Sequence, residues 1–246
     1  MFFVCCKKKS NSPAGVNSKI IFSQMLNFDQ GIPVYFNLET IDSYSCHNYR
    51  IDQNWSRQGL QCSLTISGVN APTDCDHYTY PATAGVYTDI SEPGIYAFTV
   101  VNGDRKASGT LTVTDKFIAA SYAANDVFSF RYDTMRKVPD STLFGGIGYK
   151  TPNYEPIANS LIDSIILLGA QPFAGPTGYY GSFVVLPDRT IQPLKRTDWT
   201  IESLVFTYAG DTAKLRKLMD RYIDRYPADS LGIDMATPYK RFSNFE

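Results

Sequence analysis

The strongest constraint on this chain is a period of two. From Ile32 the residues alternate, with Ile32, Val34, Phe36 and Leu38 on one side and Tyr35, Asn37 and Glu39 on the other. Tyr49, Ile51, Gln53 and Trp55 alternate with Arg50, Asp52 and Asn54. After Ser56-Arg57-Gln58-Gly59 the pattern resumes, placing Leu60, Cys62, Leu64 and Ile66 on one face. Successive strand side chains face opposite ways, so these segments read as strands with one buried face, and the short Gly-containing turn joins them as a hairpin. A second hairpin is expected from Ile95 to Val101, through Asn102-Gly103-Asp104, and back along Ala107 to Thr114. Asn-Gly suits its turn because both residues tolerate positive φ. A further strand around Val86–Ile90 completes the set expected of a β-sandwich.

Composition excludes several classes. The chain has 246 residues, room for one large domain or two small ones. Its 17 Tyr, 15 Phe and 2 Trp supply enough apolar material for a core, which excludes whole-chain disorder. A net charge of −1 offers no basic stripe for phosphates, so no nucleic-acid partner is expected. No apolar run approaches the ~18 residues of a membrane span. All five Cys and both His lie at or before position 77. The remainder therefore cannot build a Ser-His-Asp, Cys-His or His-ligated metal site from its own residues.

The chain opens Met1-Phe2-Phe3-Val4-Cys5-Cys6-Lys7-Lys8-Lys9, then turns polar. This resembles the cleavage region of bacterial lipoproteins, in particular the Cys-Lys-Lys start common among those of the Bacteroidota. The resemblance implies lipidation at Cys6, with Cys5 as the alternative, and a membrane partner reached through an N-terminal lipid anchor. It also implies a place in the bacterial cell envelope, at the outer membrane, facing either the periplasm or the surface. The plainer alternative is a frayed tail with two stray thiols. Residues 1–25 are then the lipoprotein start and tether, 26–115 the sandwich and 116–246 a second domain.

Ile90-Ser91-Glu92-Pro93-Gly94-Ile95-Tyr96 resembles the corner of immunoglobulin-like and fibronectin type III domains. There a strand-opening Tyr buries its ring and hydrogen-bonds back to the backbone. The resemblance covers about 90 residues and extends to the immunoglobulin-like domain of many uncharacterised Bacteroidota lipoproteins.

Cysteine placement fits an oxidising compartment. Cys46 precedes the first hairpin and Cys75 follows it, so both can reach its open end. The expected disulfide is Cys46–Cys75, with Cys62 a small buried hydrophobe; Cys46–Cys62 is the alternative. A zinc site built from Cys46, His47, Cys75 and His77 is the sharper reading of the same residues. It is set aside because adjacent Cys-His side chains on an extended strand diverge and no Cys-x-x-Cys spacing occurs. No cofactor is expected.

Residues 116–246 change period. Leu143-Phe144-Gly145-Gly146-Ile147-Gly148-Tyr149 reads as a Gly-rich strand; its Gly-Gly-x-Gly lacks the Lys-Ser/Thr of a phosphate loop. Ile157, Leu161, Ile165 and Leu168 predict a helix over 155–168. Strands follow at Gly178–Leu186, Thr190–Gln192 and Ile201–Tyr208. Asp211 then caps a helix striped by Leu215, Leu218, Met219, Tyr222 and Tyr226 and stopped by Pro227. The expected fold is thus mainly β plus α+β: an immunoglobulin-like β-sandwich followed by an antiparallel sheet with two helices.

Asp163, Asp188, Asp198 and Asp211 are scattered, and no pair is evidently placed for acid–base work, so no catalytic residue is assigned. The expected function is non-catalytic binding of a protein or glycan. The competing classes are an envelope hydrolase using C-terminal carboxylates and a structural spacer. A pocket lined by two carboxylates would favour the hydrolase, and an exposed aromatic strip would favour binding.

Overall fold

The computed structural model describes residues 15–25, 34–75, 78–193 and 200–244. These contain eighteen strands and two α-helices, so the chain is mainly β with an α+β portion. It divides into two compact units. Of the described residues, the first takes 15–24, 35–75, 78–114 and 119–133; the second takes 25, 34, 115–118, 134–193 and 200–244.

The first unit contains β1 (Ile20–Met25), β2 (Tyr35–Tyr44), β3 (Arg50–Gln58), β4 (Gln61–Asn70), β5 (Tyr80–Tyr87), β6 (Gly94–Asn102), β7 (Arg105–Val113), most of β8 (Phe117–Tyr122) and β9 (Phe128–Phe130). Their order in the sheet is β8-β7-β6-β4-β3-β5-β2-β1-β9. The predicted alternation holds: Phe36, Leu38, Ile51, Leu64, Ile66, Phe98 and Val100 are buried, whereas Asn37, Asp52 and Thr65 are not. Both hairpins turn on two residues. Gly59-Leu60 joins Gln58 to Gln61 and Gly103-Asp104 joins Asn102 to Arg105, with the glycines at φ 58 and 62. Leu60 is consequently 55 % exposed, because it occupies the turn rather than the apolar face expected for it.

This sheet curls. Five strand spacings separate β1 from β6, which in a flat sheet would be ~24 Å. The Phe22 and Phe98 rings are nevertheless 5.6 Å apart, and Phe36, Phe128 and Phe130 complete the cluster. Three pairings are parallel, β4 with β6, β1 with β9 and, at Arg50 and Thr83, β3 with β5, where hairpins alone would give antiparallel pairs.

Two boundaries differ from the sequence reading. Ile20–Met25, expected as tether, is a strand, and Ile20 and Phe22 are fully buried. The segment before it is held by the second hairpin turn. Val16 N donates to Asn102 Oδ1 (2.7 Å), Asn102 Nδ2 donates to Ser18 O (3.1 Å), and Arg105 donates to the carbonyls of Val16 and Ser18. Asn102, expected in the turn, is thus the last residue of β6 and a buried clamp, and the polar sequence conceals how tightly the segment is held. Residues 119–133 likewise belong to the first unit, because Phe128 and Phe130 insert into its aromatic core.

The second unit has an antiparallel sheet of five strands, ordered β12 (Gln171–Pro172), β16 (Thr200–Thr207), β11 (Thr142–Tyr149), β17 (Leu231–Thr237) and β18 (Lys240–Ser243). The Gly-rich segment is its central strand, β11. A Cβ at Gly145 (φ 143) would overlap the Asp234 carbonyl of β17, so close strand approach explains the glycine. Helices α1 (Glu155–Leu167) and α2 (Thr212–Arg225) pack on one face through Leu161, Ile165, Leu215 and Met219 against Ile147, Ile233 and Met235. On the other face, Phe144, Val205 and Ala236 meet Tyr180, Phe183 and Val185. The last two come from β14 (Phe183–Val185), which pairs with β13 (Gly178–Tyr179) and β15 (Ile191–Pro193); β13 also pairs in parallel with β10 (Thr134–Arg136). The sheet-and-two-helices arrangement follows the sequence reading, but β17 and β18 extend beyond its last expected element.

Candidate functional site

Cys46 and Cys75 form the expected disulfide, with Cα atoms 5.3 Å apart, and Cys62 is free and buried. Burial pushes the Cys62 thiol up to about 11, against the opposing pull of Arg57. The zinc alternative loses its thiolates, because the disulfide engages both Sγ atoms. His47 is exposed, while His77 lies outside the described residues, as do Cys5 and Cys6.

Two of the carboxylates that could have served a hydrolase are engaged in local hydrogen bonds. Asp211 caps α2, accepting from Ala213 N (2.8 Å) and Lys214 N (3.3 Å). Asp188 accepts from Thr190 N (2.9 Å) and Thr190 Oγ1 (2.6 Å), and these bonds, side chain first, hold its carboxyl below the ordinary value. Asp163 is exposed on α1 and Asp198 lies outside the described residues. Asp163, Asp188 and Asp211, the three described, line no common cleft among the described residues.

Aromatic side chains collect instead along β2 and β5. Tyr35 and Tyr87 are register partners with ring centroids 4.7 Å apart, and Tyr87 is 57 % exposed. Gly85 makes room for the pair, since a Cβ there would collide with the Tyr35 hydroxyl. Burial, then the neighbouring Tyr87, raises the Tyr35 phenol, which therefore stays protonated and able to donate. Beyond the pair the outer face becomes polar. Asn37 Nδ2 donates to Glu39 Oε1 (3.1 Å), Arg131 Nη2 to Glu39 Oε2 (2.6 Å), and Arg50 Nη1 to Thr83 Oγ1 (3.0 Å). At the other end of the strands, near the disulfide, Tyr44 stacks on Tyr49 (4.8 Å) and faces Tyr80 in register. Tyr80 and Tyr78 are 54 % and 73 % exposed. Along β5, ~23 Å of strand separates Tyr80 from Tyr87.

Such a surface offers flat apolar rings with hydroxyl tips beside fixed donors and acceptors, which can stack on a ring face and hydrogen-bond its substituents. Sequence reasoning named an exposed aromatic strip as the mark of a binding protein without choosing its residues. The available signal was Tyr35 and Tyr87 standing out of phase with Phe36 and Val86, hence on the outer face. Nearby, Trp55 Nε1 and Arg57 Nε both donate to Asp89, at 3.1 and 2.8 Å. Burial alone would push the Asp89 carboxyl up, but these bonds outweigh it and hold it low. That trio ties β3 to the segment after β5. Comparison with family models, curated proteins and solved structures finds no match.

Proposed function

We propose that this chain is a lipid-anchored binding protein of the bacterial cell envelope, with an immunoglobulin-like first unit that engages a glycan or protein partner without catalysis. The observation that carries the binding reading is the tyrosine face of β2 and β5. Large exposed rings cost solubility unless a partner covers them, and here they stand beside hydrogen-bonding groups suited to a sugar. The Cys46–Cys75 disulfide supports an oxidising compartment. The immunoglobulin-like reading draws on the corner tyrosine: Tyr96 is buried and its hydroxyl donates to Glu92 O at 2.7 Å. The parallel β4–β6 ladder departs from the antiparallel pairing of that family.

The test is binding to a panel of bacterial cell-surface and host polysaccharides, comparing the natural chain with a Tyr35→Ala/Tyr87→Ala variant. A saturable interaction weakened at least about tenfold in the variant supports the reading. Unchanged binding by the variant removes the face from the account. The anchor is tested separately by intact mass of protein extracted with detergent from its own cells. A lipid increment on a chain beginning at Cys6 or Cys5 supports it, and an unlipidated chain retaining both cysteines opposes it.

A further inference from the structure

The geometry points to a second binding site, in the groove between α1 and α2, for a small organic oxyanion: a carboxylate or phosphate monoester on an apolar body. The helices run antiparallel. Tyr154 before α1 meets Tyr226 after α2 with ring centroids 6.4 Å apart, and Ser160 Oγ lies 3.2 Å from Tyr222 Oη. A cavity of about 310 Å³ opens between them. Ile157 and Leu218 give it an apolar lining, Ser160 and Ser164 line the α1 side, and Arg221 and Arg225 line the α2 side.

The two arginines carry the inference. They are one helical turn apart and so project on the same side of α2. Asp224 stands three residues after Arg221 on the same helix, yet neither guanidinium makes an ion pair or hydrogen bond with any described residue. Arg225 instead lies over the Tyr226 ring at 5.5 Å, a contact that leaves guanidinium N–H groups available to an acceptor. No carboxylate lines the groove to neutralise them. The dipole ends of antiparallel helices offset one another, so the field comes from the arginines themselves. Two guanidiniums beside an apolar floor suit a charge-assisted, two-point grip on an oxyanion whose body packs against Ile157 and Leu218. The volume falls at the lower end of the ~300–1,000 Å³ range of small-molecule sites, enough for a single ring bearing one anionic group.

Isothermal titration of the whole chain with phenyl phosphate, benzoate, inorganic phosphate and phenol tests the site. At least one aryl anion should bind saturably, with inorganic phosphate and phenol each about tenfold weaker or worse, since each lacks one half of the recognition. Which aryl anion binds more tightly identifies the preferred headgroup. An Arg221→Gln/Arg225→Gln variant should lose about tenfold or more in affinity while keeping its unfolding midpoint, because both side chains are exposed. Lys217→Gln, on α2 but outside the groove, should bind as the natural chain does. Absence of saturable binding by either aryl anion, phenol or inorganic phosphate matching them, or full affinity in the double variant would each overturn the site.

Discussion

The two units solve the burial of a one-faced sheet in different ways. In the first, the described residues form strands without a helix of their own; strands far apart in the sheet order meet across rings, with Phe22 touching Phe36, Phe98, Phe128 and Phe130. In the second, two helices lay Leu161, Ile165, Leu215 and Met219 on one face, and Phe144 and Val205 on the other face meet Tyr180 and Phe183. A curled sheet needs large side chains because a few strands must fill the space between its halves. A helix supplies a stripe of aliphatic residues for the same purpose. The difference extends to the surface. The curled unit exposes the back of its own strands, and β2 and β5 carry tyrosines there; the helical unit exposes a groove between helices.

The comparison can be broken most forcefully at Phe22. Phe22→Ala should destabilise by about 3–5 kcal/mol, toward the upper end because the ring is fully buried among four others. Denaturant unfolding followed by circular dichroism measures it. Leu161→Ala in the second unit should cost about 2–5 kcal/mol, and a loss larger than that for Phe22→Ala would deny the aromatic cluster its central place.

Removing the cross-link by Cys46→Ser/Cys75→Ser should cost roughly 3–4 kcal/mol from the entropy of the released loop. The same shift in midpoint should follow from adding reductant to the natural chain, and reductant should leave the double variant unmoved.

Smaller changes sharpen the contrast between local devices. Tyr96→Phe deletes the hydroxyl on Glu92 O and should cost about 0.5–1.5 kcal/mol in the first unit. Asp211→Ala should cost about 1 kcal/mol in the second, through loss of the α2 cap. Both are read from unfolding midpoints at constant m-value.

Cys62 gives the most pH-specific effect, a loss of stability absent near neutral pH. Its folded thiol is raised to about 11 from an ordinary 9.0, so the folded chain holds this proton more tightly than the unfolded chain. The stability it contributes is fully present below pH about 9 and is lost as pH rises toward about 11. Native alkylation near neutral pH should leave Cys62 unmodified and denatured alkylation should modify it; rapid native labelling contradicts its burial.

Alternation made the first unit's hairpins legible because strand side chains report burial directly. It could not reveal the parallel β4–β6 and β1–β9 ladders, which depend on the sheet curling around rings far apart in sequence. Ser18 reads as tether and Asn102 as a turn residue, and Arg105 draws no reading at all, since hydrogen bonds between segments more than eighty positions apart leave no periodic trace. In the second unit the helices were plain from their stripes and the Asp211 cap. Leu231, Ile233 and Met235 do alternate and mark β17, but their place beside β11 depends on how Gly145 admits the neighbouring backbone. The disulfide was legible because both cysteines flank one hairpin. The tyrosine face was only half so: register pairs Tyr35 with Tyr87, and register is a property of the sheet.

The most direct test of the account is a residue-resolved NMR titration of the isotopically labelled chain with the best-binding oligosaccharide from the polysaccharide panel. The account predicts amide shifts concentrated at Tyr35, Asn37 and Glu39 on β2 and at Thr83, Gly85 and Tyr87 on β5, with α1 and α2 unmoved. Shifts centred on the helices, with β2 and β5 silent, would contradict it.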